Sequence, residues 1–228
     1  MGDRVRDERT GRDETTVSNE TTGRDETIGS FLEQLAARTA APAGGAAAAL
    51  TAAQAAALLA MVARYTTGPR YEAASQTAER VILEADQLRA EFTDLIAADA
   101  AAFGSVAAAY RLPKETADQQ AMRSGAIAAA LVTASEPPAA VIAAAARLLD
   151  LAEALAPVGN RTVLGDLAAA AEAIRAATAT SRILVEANLA GITDTAARER
   201  YGDTVGRVDL LLARADAVTS AVRADLLR

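Results

Sequence analysis

The chain has 228 residues, of which 51% are apolar, and carries a formal net charge of −7 at pH 7. This charge disfavours nucleic acid and anionic membrane surfaces as partners, because both require a basic face. Histidine and cysteine are absent, which excludes disulfides, thiolate metal sites and imidazole acid–base chemistry.

The N-terminal segment, residues 1–27, is predicted to be a disordered tail, followed by one helical domain at residues 28–228. The tail holds three apolar residues among eight acids and five arginines. It therefore cannot bury enough apolar surface to offset the entropy of ordering. The sequence Thr-Gly-Arg-Asp-Glu-Thr occurs twice in it, so a docking tail is the alternative. Its polar start does not resemble a signal peptide, and we expect a cytoplasmic protein.

The abundance of alanine and the scarcity of aromatic residues predict an all-α fold. We expect an up-and-down bundle of about seven helices, the first capped by Thr27 or Ser30. Ser135-Glu136-Pro137-Pro138 is expected to end one helix and begin the next. The predicted helices lie near residues 30–35, from the Pro42–Gly45 break to 65, and at 70–110, 116–134, 137–156, 163–190 and 194–226.

The second of these helices includes a stretch without charge, residues 43–63, so a membrane span has to be considered. Alanine contributes little to insertion, and Thr51 and Gln54 lie near the middle of the stretch. The pattern favours a buried central helix of a soluble bundle.

One carboxylate, Asp99, lies on the apolar stripe of the longest predicted helix. Such a side chain either pairs with an arginine, lies at an interface, or lines a pocket where burial raises its pKa. A structural ion pair is the more common outcome. The stripe consists of large residues at helical spacing: Leu88, Phe92, Leu95, Ile96, Phe103 and Val106.

Other candidates each have a structural alternative. Gly44 and Gly45 open a helix and offer free backbone N–H groups to a carboxylate or carbonyl, or else form a tight turn. Asn160 can satisfy a turn, and Asp166 can stabilise a helix dipole in its first turn. Asn188 lies on an apolar stripe, where it marks an interhelical hydrogen bond or a ligand contact.

Several short segments carry a family resemblance through their order and spacing, and the Leu-Pro-Lys region is the most distinctive of them. The segments are Phe31-Leu32, Pro42…Gly44-Gly45, Met61-Val62-Ala63…Gly68…Tyr71-Glu72, Asp99-Ala-Ala-Ala-Phe103…Val106…Tyr110-Arg111-Leu112-Pro113-Lys114, Arg123…Ala126-Ile127, Gly159-Asn160…Asp166 and Asn188-Leu189…Ile192…Asp194. From Thr27 to about Arg207 the chain resembles the formiminotransferase-cyclodeaminase C-terminal domain family, which includes stand-alone methenyltetrahydrofolate cyclohydrolases.

The resemblance implies a helical homodimer that binds a tetrahydrofolate derivative near the subunit contact. The sequence has no His/Glu metal set, P-loop or dinucleotide fingerprint, so we expect no metal and no nucleotide, and the charge and helix pattern predict no nucleic-acid or membrane partner. The resemblance also implies Asp99 or Asp166 as the acid/base and Lys114 as the residue that holds or polarises the substrate. The residues expected to orient the pterin or the glutamate tail are Arg123, Asn160, Asn188 and the amides of Gly44 and Gly45.

Two departures from the family pattern lie near the expected ligand site. The usual Pro-Gly-Gly-Gly-Ser turn reads Pro42-Ala43-Gly44-Gly45-Ala46, and a normally lysine-rich loop reads Gly68-Pro69-Arg70-Tyr71. We predict a cyclohydrolase or cyclodeaminase acting on a folate one-carbon adduct by carboxylate acid/base chemistry. The alternatives are a catalytically impaired dimer of the same fold, serving as a folate-binding or scaffold protein, and a membrane-associated helical protein.

Overall fold

The computed structural model describes residues 26–227, and all regular secondary structure in this range is helical, which confirms the all-α prediction. Of the predicted tail, only Glu26 and Thr27 belong to the described residues. The helices are α1 (Ile28–Ala36), α2 (Gly44–Tyr65), α3 (Ser75–Tyr110), α4 (Ala117–Leu155), α5 (Leu164–Leu189), α6 (Thr195–Gly206) and α7 (Val208–Leu226), with short 3-10 segments at Pro69–Ala74 and Arg161–Val163.

The first helix begins after Thr27, whose hydroxyl accepts a hydrogen bond from the Ser30 backbone N–H at 3.1 Å. Of the two predicted N-caps, Thr27 is therefore the one used. The Ser30 hydroxyl instead donates to Glu26 Oε1 at 3.0 Å.

Helix α2 lies at the centre of the bundle and packs against α3, α4 and α5. Because alanine side chains are small, the neighbouring helices approach α2 closely. The fully enclosed alanines of α2 are Ala46, Ala52, Ala55, Ala56 and Ala63.

Three segments are long and apolar enough to cross a membrane, judged by length and composition alone: Gly44–Tyr65, Pro69–Tyr110 and Ala117–Leu155.

The predicted break at Ser135–Pro138 is wrong, because α4 continues through Pro137 and Pro138. A proline inside a helix removes a backbone donor and costs about 3 kcal/mol or more. Both prolines are buried, so packing offsets that cost. The carbonyls that lose an amide donor are those of Thr133 and Ala134. The Ser135 and Tyr201 hydroxyls donate to the two carbonyls just before them, Leu131 at 2.8 Å and Val132 at 2.9 Å.

Two other boundaries differ from the prediction. The expected helix at 194–226 is divided into α6 and α7 at Gly206 and Arg207, where glycine weakens the helix. The helix expected from residue 70 begins at Ser75, because the backbone of Tyr71 (φ −112°, ψ 17°) is not helical.

The apolar stripe of α3 is buried at Leu88, Phe92 and Val106, but Phe103 is 41% exposed. Asp99 lies level with the start of α2, so α3 extends beyond the end of that neighbour. The projecting part of α3, the loop and the start of α4 (residues 100–127) are here called the α3–α4 arm. This arm also exposes Tyr110, Leu112 and Met122.

Candidate active site

Two of the predicted site residues, Asp99 and Asn160, lie at opposite ends of α2. Asp99 contacts Ala46 in the first turn of α2, whereas Asn160 contacts Tyr65 and Thr66 at its last turn. Twenty residues of α-helix separate Ala46 from Thr66, a span of about 30 Å at 1.5 Å per residue. Asp166, in the first turn of α5, follows Asn160 closely. Within the chain, Asp99 and Asp166 therefore belong to different sites.

Asp99 projects from α3 onto the N-terminal end of α2 and is 9% exposed. Its Oδ2 accepts a hydrogen bond from the Ala46 backbone N–H at 2.9 Å. A Cβ atom at Gly45 would lie only 1.9 Å from Asp99 Oδ1, so the carboxyl group occupies the space that a side chain would need. Asp99 itself thus takes the anion position at the positive end of the α2 dipole.

The surroundings of Asp99 shift its pKa above the ordinary value. No ion pair to this carboxyl is found between residues 26 and 227, although an arginine partner was the more common expectation. Burial raises the pKa of Asp99, and the hydrogen bond from the Ala46 N–H opposes that rise. Because Oδ2 accepts the amide hydrogen bond, Oδ1 is the oxygen suited to carry the proton.

The C-terminal part of α5 lies at the same end of the bundle as Asp99. A Cβ at Gly44 would lie 3.6 Å from Leu184 Cδ2, an ordinary packing distance. Asn188 lies one turn beyond Leu184 and is half-buried. Its side chain makes no hydrogen bond to any part of the chain that the structure describes. Of the predicted ligand contacts, Asn188 and the backbone N–H groups of Gly44 and Gly45 therefore have unused hydrogen-bonding groups at this end, within the residues that the structure describes.

Lys114 and Arg123 lie in the α3–α4 arm, away from Asp99. Lys114 is exposed in the loop beyond Tyr110, and Tyr110 is itself about 16 Å from Asp99 along α3. Arg123 donates from Nε and Nη2 to the Tyr110 carbonyl at 3.3 and 3.1 Å. Its guanidinium also lies 5.4 Å from the centre of the Tyr110 ring. Through these contacts Arg123 stabilises the end of α3.

Asn160 joins the last turn of α2 to the segment before α5. Its Nδ2 donates to the Tyr65 carbonyl at 2.8 Å, and its backbone N–H donates to the Thr66 hydroxyl at 3.0 Å. Its Oδ1 accepts from the N–H and the hydroxyl of Thr162 at 3.0 and 2.9 Å. Both polar atoms of the Asn160 side chain are thus bonded to the chain, which indicates that Asn160 holds the loop.

The sequence did not indicate a cavity of about 310 Å³ between α4 and the loop that follows α5. This volume is at the lower limit of small-molecule sites. The small side chains that line the cavity cannot be distinguished from ordinary helix-packing positions by their sequence pattern. The lining residues are Gly125, Ala128, Ala129, Val132, Thr193 and Asp194.

Within residues 26–227 no group of three acidic side chains is placed to hold a metal ion.

Comparison with known proteins gives consistent results over nearly the whole described range. The formiminotransferase-cyclodeaminase family profile matches residues 27–207. The chain is 36% identical to methenyltetrahydrofolate cyclohydrolase of Methylorubrum extorquens, over 86% of this chain and 93% of that protein. It is 32% identical to formimidoyltransferase-cyclodeaminase of Rattus norvegicus, over 86% of this chain but 36% of that longer protein. The crystal structure of formiminotetrahydrofolate cyclodeaminase from Thermotoga maritima matches with a TM-score of 0.75 and 27% identity, covering 88% of this chain and 95% of that one.

Proposed function

Because the chain belongs to the formiminotransferase-cyclodeaminase family, we propose that it is a folate one-carbon enzyme with Asp99 as its acid/base. The preferred reaction is hydrolysis of methenyltetrahydrofolate, since the cyclohydrolase relative is similar over nearly its full length. The second candidate is cyclisation of formiminotetrahydrofolate, which the names of other relatives support. The observation that carries the proposal is a buried carboxyl group without a cationic partner in the described chain.

In the hydrolysis, water adds to the methenyl carbon and one carbon–nitrogen bond breaks, leaving a formyl group on the other nitrogen. The water oxygen gives up both protons: one is bound by the released nitrogen and the other passes to solvent. Asp99 in its ionised form can accept a proton from the attacking water and return it to the departing nitrogen through Oδ1. A carboxyl group with a raised pKa suits both steps.

In the cyclisation, N10 attacks the formimino carbon and the imino nitrogen leaves as ammonia. That nitrogen requires two protons, one of which N10 releases. The other must come from an acid, and protonated Asp99 can supply it. The same carboxyl group therefore serves either reaction, and the substrate bound next to it determines which one occurs.

The altered turn at Ala43–Ala46 does not favour the catalytically impaired alternative. Gly45 is the glycine that Asp99 requires, and it is present. The hydrogen bond to Asp99 comes from the backbone N–H of Ala46, which a residue with any other side chain except proline would also supply. Asn188 and the small cavity beside α4 are the proposed substrate contacts at this end of the bundle.

We also propose that the enzyme is a homodimer and that the second copy completes the site. The exposed apolar side chains of the α3–α4 arm support this, since a partner subunit would cover them.

Sedimentation is expected to give twice the chain mass of 23.3 kDa. Met122→Glu, at a 75% exposed position, should shift the mass toward the monomer. A wild-type monomer at micromolar concentration would contradict the proposal. The cytoplasmic location stays a prediction from the sequence.

The test of function is turnover of both substrates by the purified wild-type chain and two aspartate variants. Loss of methenyltetrahydrofolate absorbance and release of ammonia from formiminotetrahydrofolate are followed separately. Asp99→Asn should lower kcat by about 10²–10⁴-fold, the usual range for a general acid/base. Asp166→Asn tests the other candidate at the far end of α2 and should retain turnover. The opposite pattern would remove Asp99 from the reaction, and an inactive wild type would refute the proposed function.

A further inference from the structure

We propose that Gly45 is a positioning residue for Asp99, which fixes the direction of the reactive carboxyl oxygen by leaving space that a side chain would fill. The catalytic consequence rests on the proposed function. The positioning itself rests only on geometry. This differs from the role implied by the family resemblance, in which the Gly44 and Gly45 amides bind the substrate.

The two neighbouring glycines differ in what their missing side chains would meet. At Gly44, a Cβ would lie 3.6 Å from the nearest atom of Leu184, which is ordinary contact. At Gly45, it would lie 1.9, 2.4 and 2.7 Å from Oδ1, Cγ and Oδ2 of Asp99. Within residues 26–227 only Gly68 has a positive φ, so backbone conformation does not require glycine at either position. Space requires it at Gly45 alone.

Asp99 cannot give way cheaply to a side chain at residue 45. Aspartate has a short side chain, and the carboxyl is already fixed by the 2.9 Å hydrogen bond between Oδ2 and the Ala46 N–H. Rotating the carboxyl away from residue 45 would break that bond and leave a buried amide without a partner. The absence of a side chain at residue 45 therefore lets Oδ2 of Asp99 accept from the Ala46 N–H while Oδ1 lies next to the α2 backbone.

The positioning can be tested without any enzyme activity. The melting temperature is measured for Gly45→Ala, for Asp99→Ala, and for the variant carrying both changes. Gly45→Ala should lower it by several degrees when Asp99 is present and should cause no further loss in Asp99→Ala, where the added methyl occupies vacated space. Gly44→Ala is the matched control, and it should leave the melting temperature unchanged or raise it by about 2 °C. An equal loss from Gly45→Ala in both backgrounds would overturn the proposal.

The catalytic consequence is tested with the kinetic constants of the same enzyme. Gly45→Ala should lower kcat by about 10–100-fold, as expected when a reacting group is displaced by about 1 Å, with little change in KM. In the Asp99→Asn background it should cause no further loss of kcat. A rise in KM with unchanged kcat would show that the added methyl group displaces substrate rather than Asp99 and would overturn the positioning role. If the wild type acts on neither folate, the proposed function fails while the melting temperatures still decide the role of Gly45.

Discussion

Replacing Asn160 with alanine separates a structural role from the ligand role that the family resemblance implies. The side chain makes three hydrogen bonds: from Nδ2 to the Tyr65 carbonyl, and from the N–H and hydroxyl of Thr162 to Oδ1. Asn160→Ala removes all three and leaves the backbone bond from Asn160 to Thr66 in place. The change therefore loosens the junction between α2 and α5 without altering the Asp99 end.

The expected loss of stability follows from these bonds. Each hydrogen bond contributes about 0.5–1.5 kcal/mol net, and three would give about 1.5–4.5 kcal/mol. Asn160 is half-buried, so water replaces part of what is lost, and we expect about 2 kcal/mol. For a chain of this size that corresponds to a decrease in melting temperature of about 4–8 °C.

The assay combines thermal unfolding with steady-state kinetics, and Asn188→Ala is the matched control. Asn188 is on α5 and its side chain makes no hydrogen bond in the described range, so its replacement should leave the melting temperature nearly unchanged. It should instead raise KM, because Asn188 is a proposed substrate contact. If Asn160→Ala changes the melting temperature by less than about 1 °C and raises KM, Asn160 binds ligand and the structural reasoning is refuted.

Two further predictions concern α4 and the protonation of Asp99. Tyr201→Phe removes the hydroxyl that bonds the Val132 carbonyl and accepts from Arg200 Nη2, both at 2.9 Å. It should lower the free energy of unfolding by about 1–2 kcal/mol in urea denaturation, and an unchanged midpoint would contradict the role assigned to Tyr201. Because burial raises the pKa of Asp99 above its ordinary value of 3.8, the folded state binds more protons here than the unfolded chain between the two pKa values. The stability that Asp99 contributes is thus fully present below the ordinary pKa of the unfolded chain and falls as pH rises through the raised pKa of the folded state. Relative to wild type, Asp99→Asn should therefore gain melting temperature as pH rises above the ordinary value of 3.8, and the opposite trend would show that burial does not dominate.

The burial of Asp99 could be predicted from the sequence, because its register on α3 follows from helical spacing alone. The hydrogen-bond partner of Asp99 could not be predicted. Ala46 lies 53 residues away along the chain, and a backbone N–H has no sequence signature. The partner of the Asn160 side chain is likewise a backbone group distant in sequence, the Tyr65 carbonyl. The family resemblance assigned both residues to the substrate, but only the contacts at each end of α2 show that Asn160 and Asp99 are far apart within the chain.

The double proline in α4 shows how tertiary contacts can override a local rule. Pro137 and Pro138 follow Ser135, a sequence that ordinarily marks the end of one helix and the cap of the next. Burial of both rings keeps the helix continuous, and the Tyr201 hydroxyl adds a hydrogen bond to the Val132 carbonyl in the turn before them. Tyr201 lies 69 residues from Val132, so local pattern cannot reveal this contribution.

The same prolines have a consequence for hydrogen exchange and local unfolding. A helix opens by breaking its ladder of backbone hydrogen bonds turn by turn, and the ladder of α4 lacks the two amide donors that Pro137 and Pro138 cannot provide. The exposed first turns of α4 can therefore open without disturbing the buried segment from Val141 to Leu155. Although α4 is one continuous helix, we expect its two parts to unfold locally with different free energies. Amides before the prolines should therefore exchange with solvent faster than those after them.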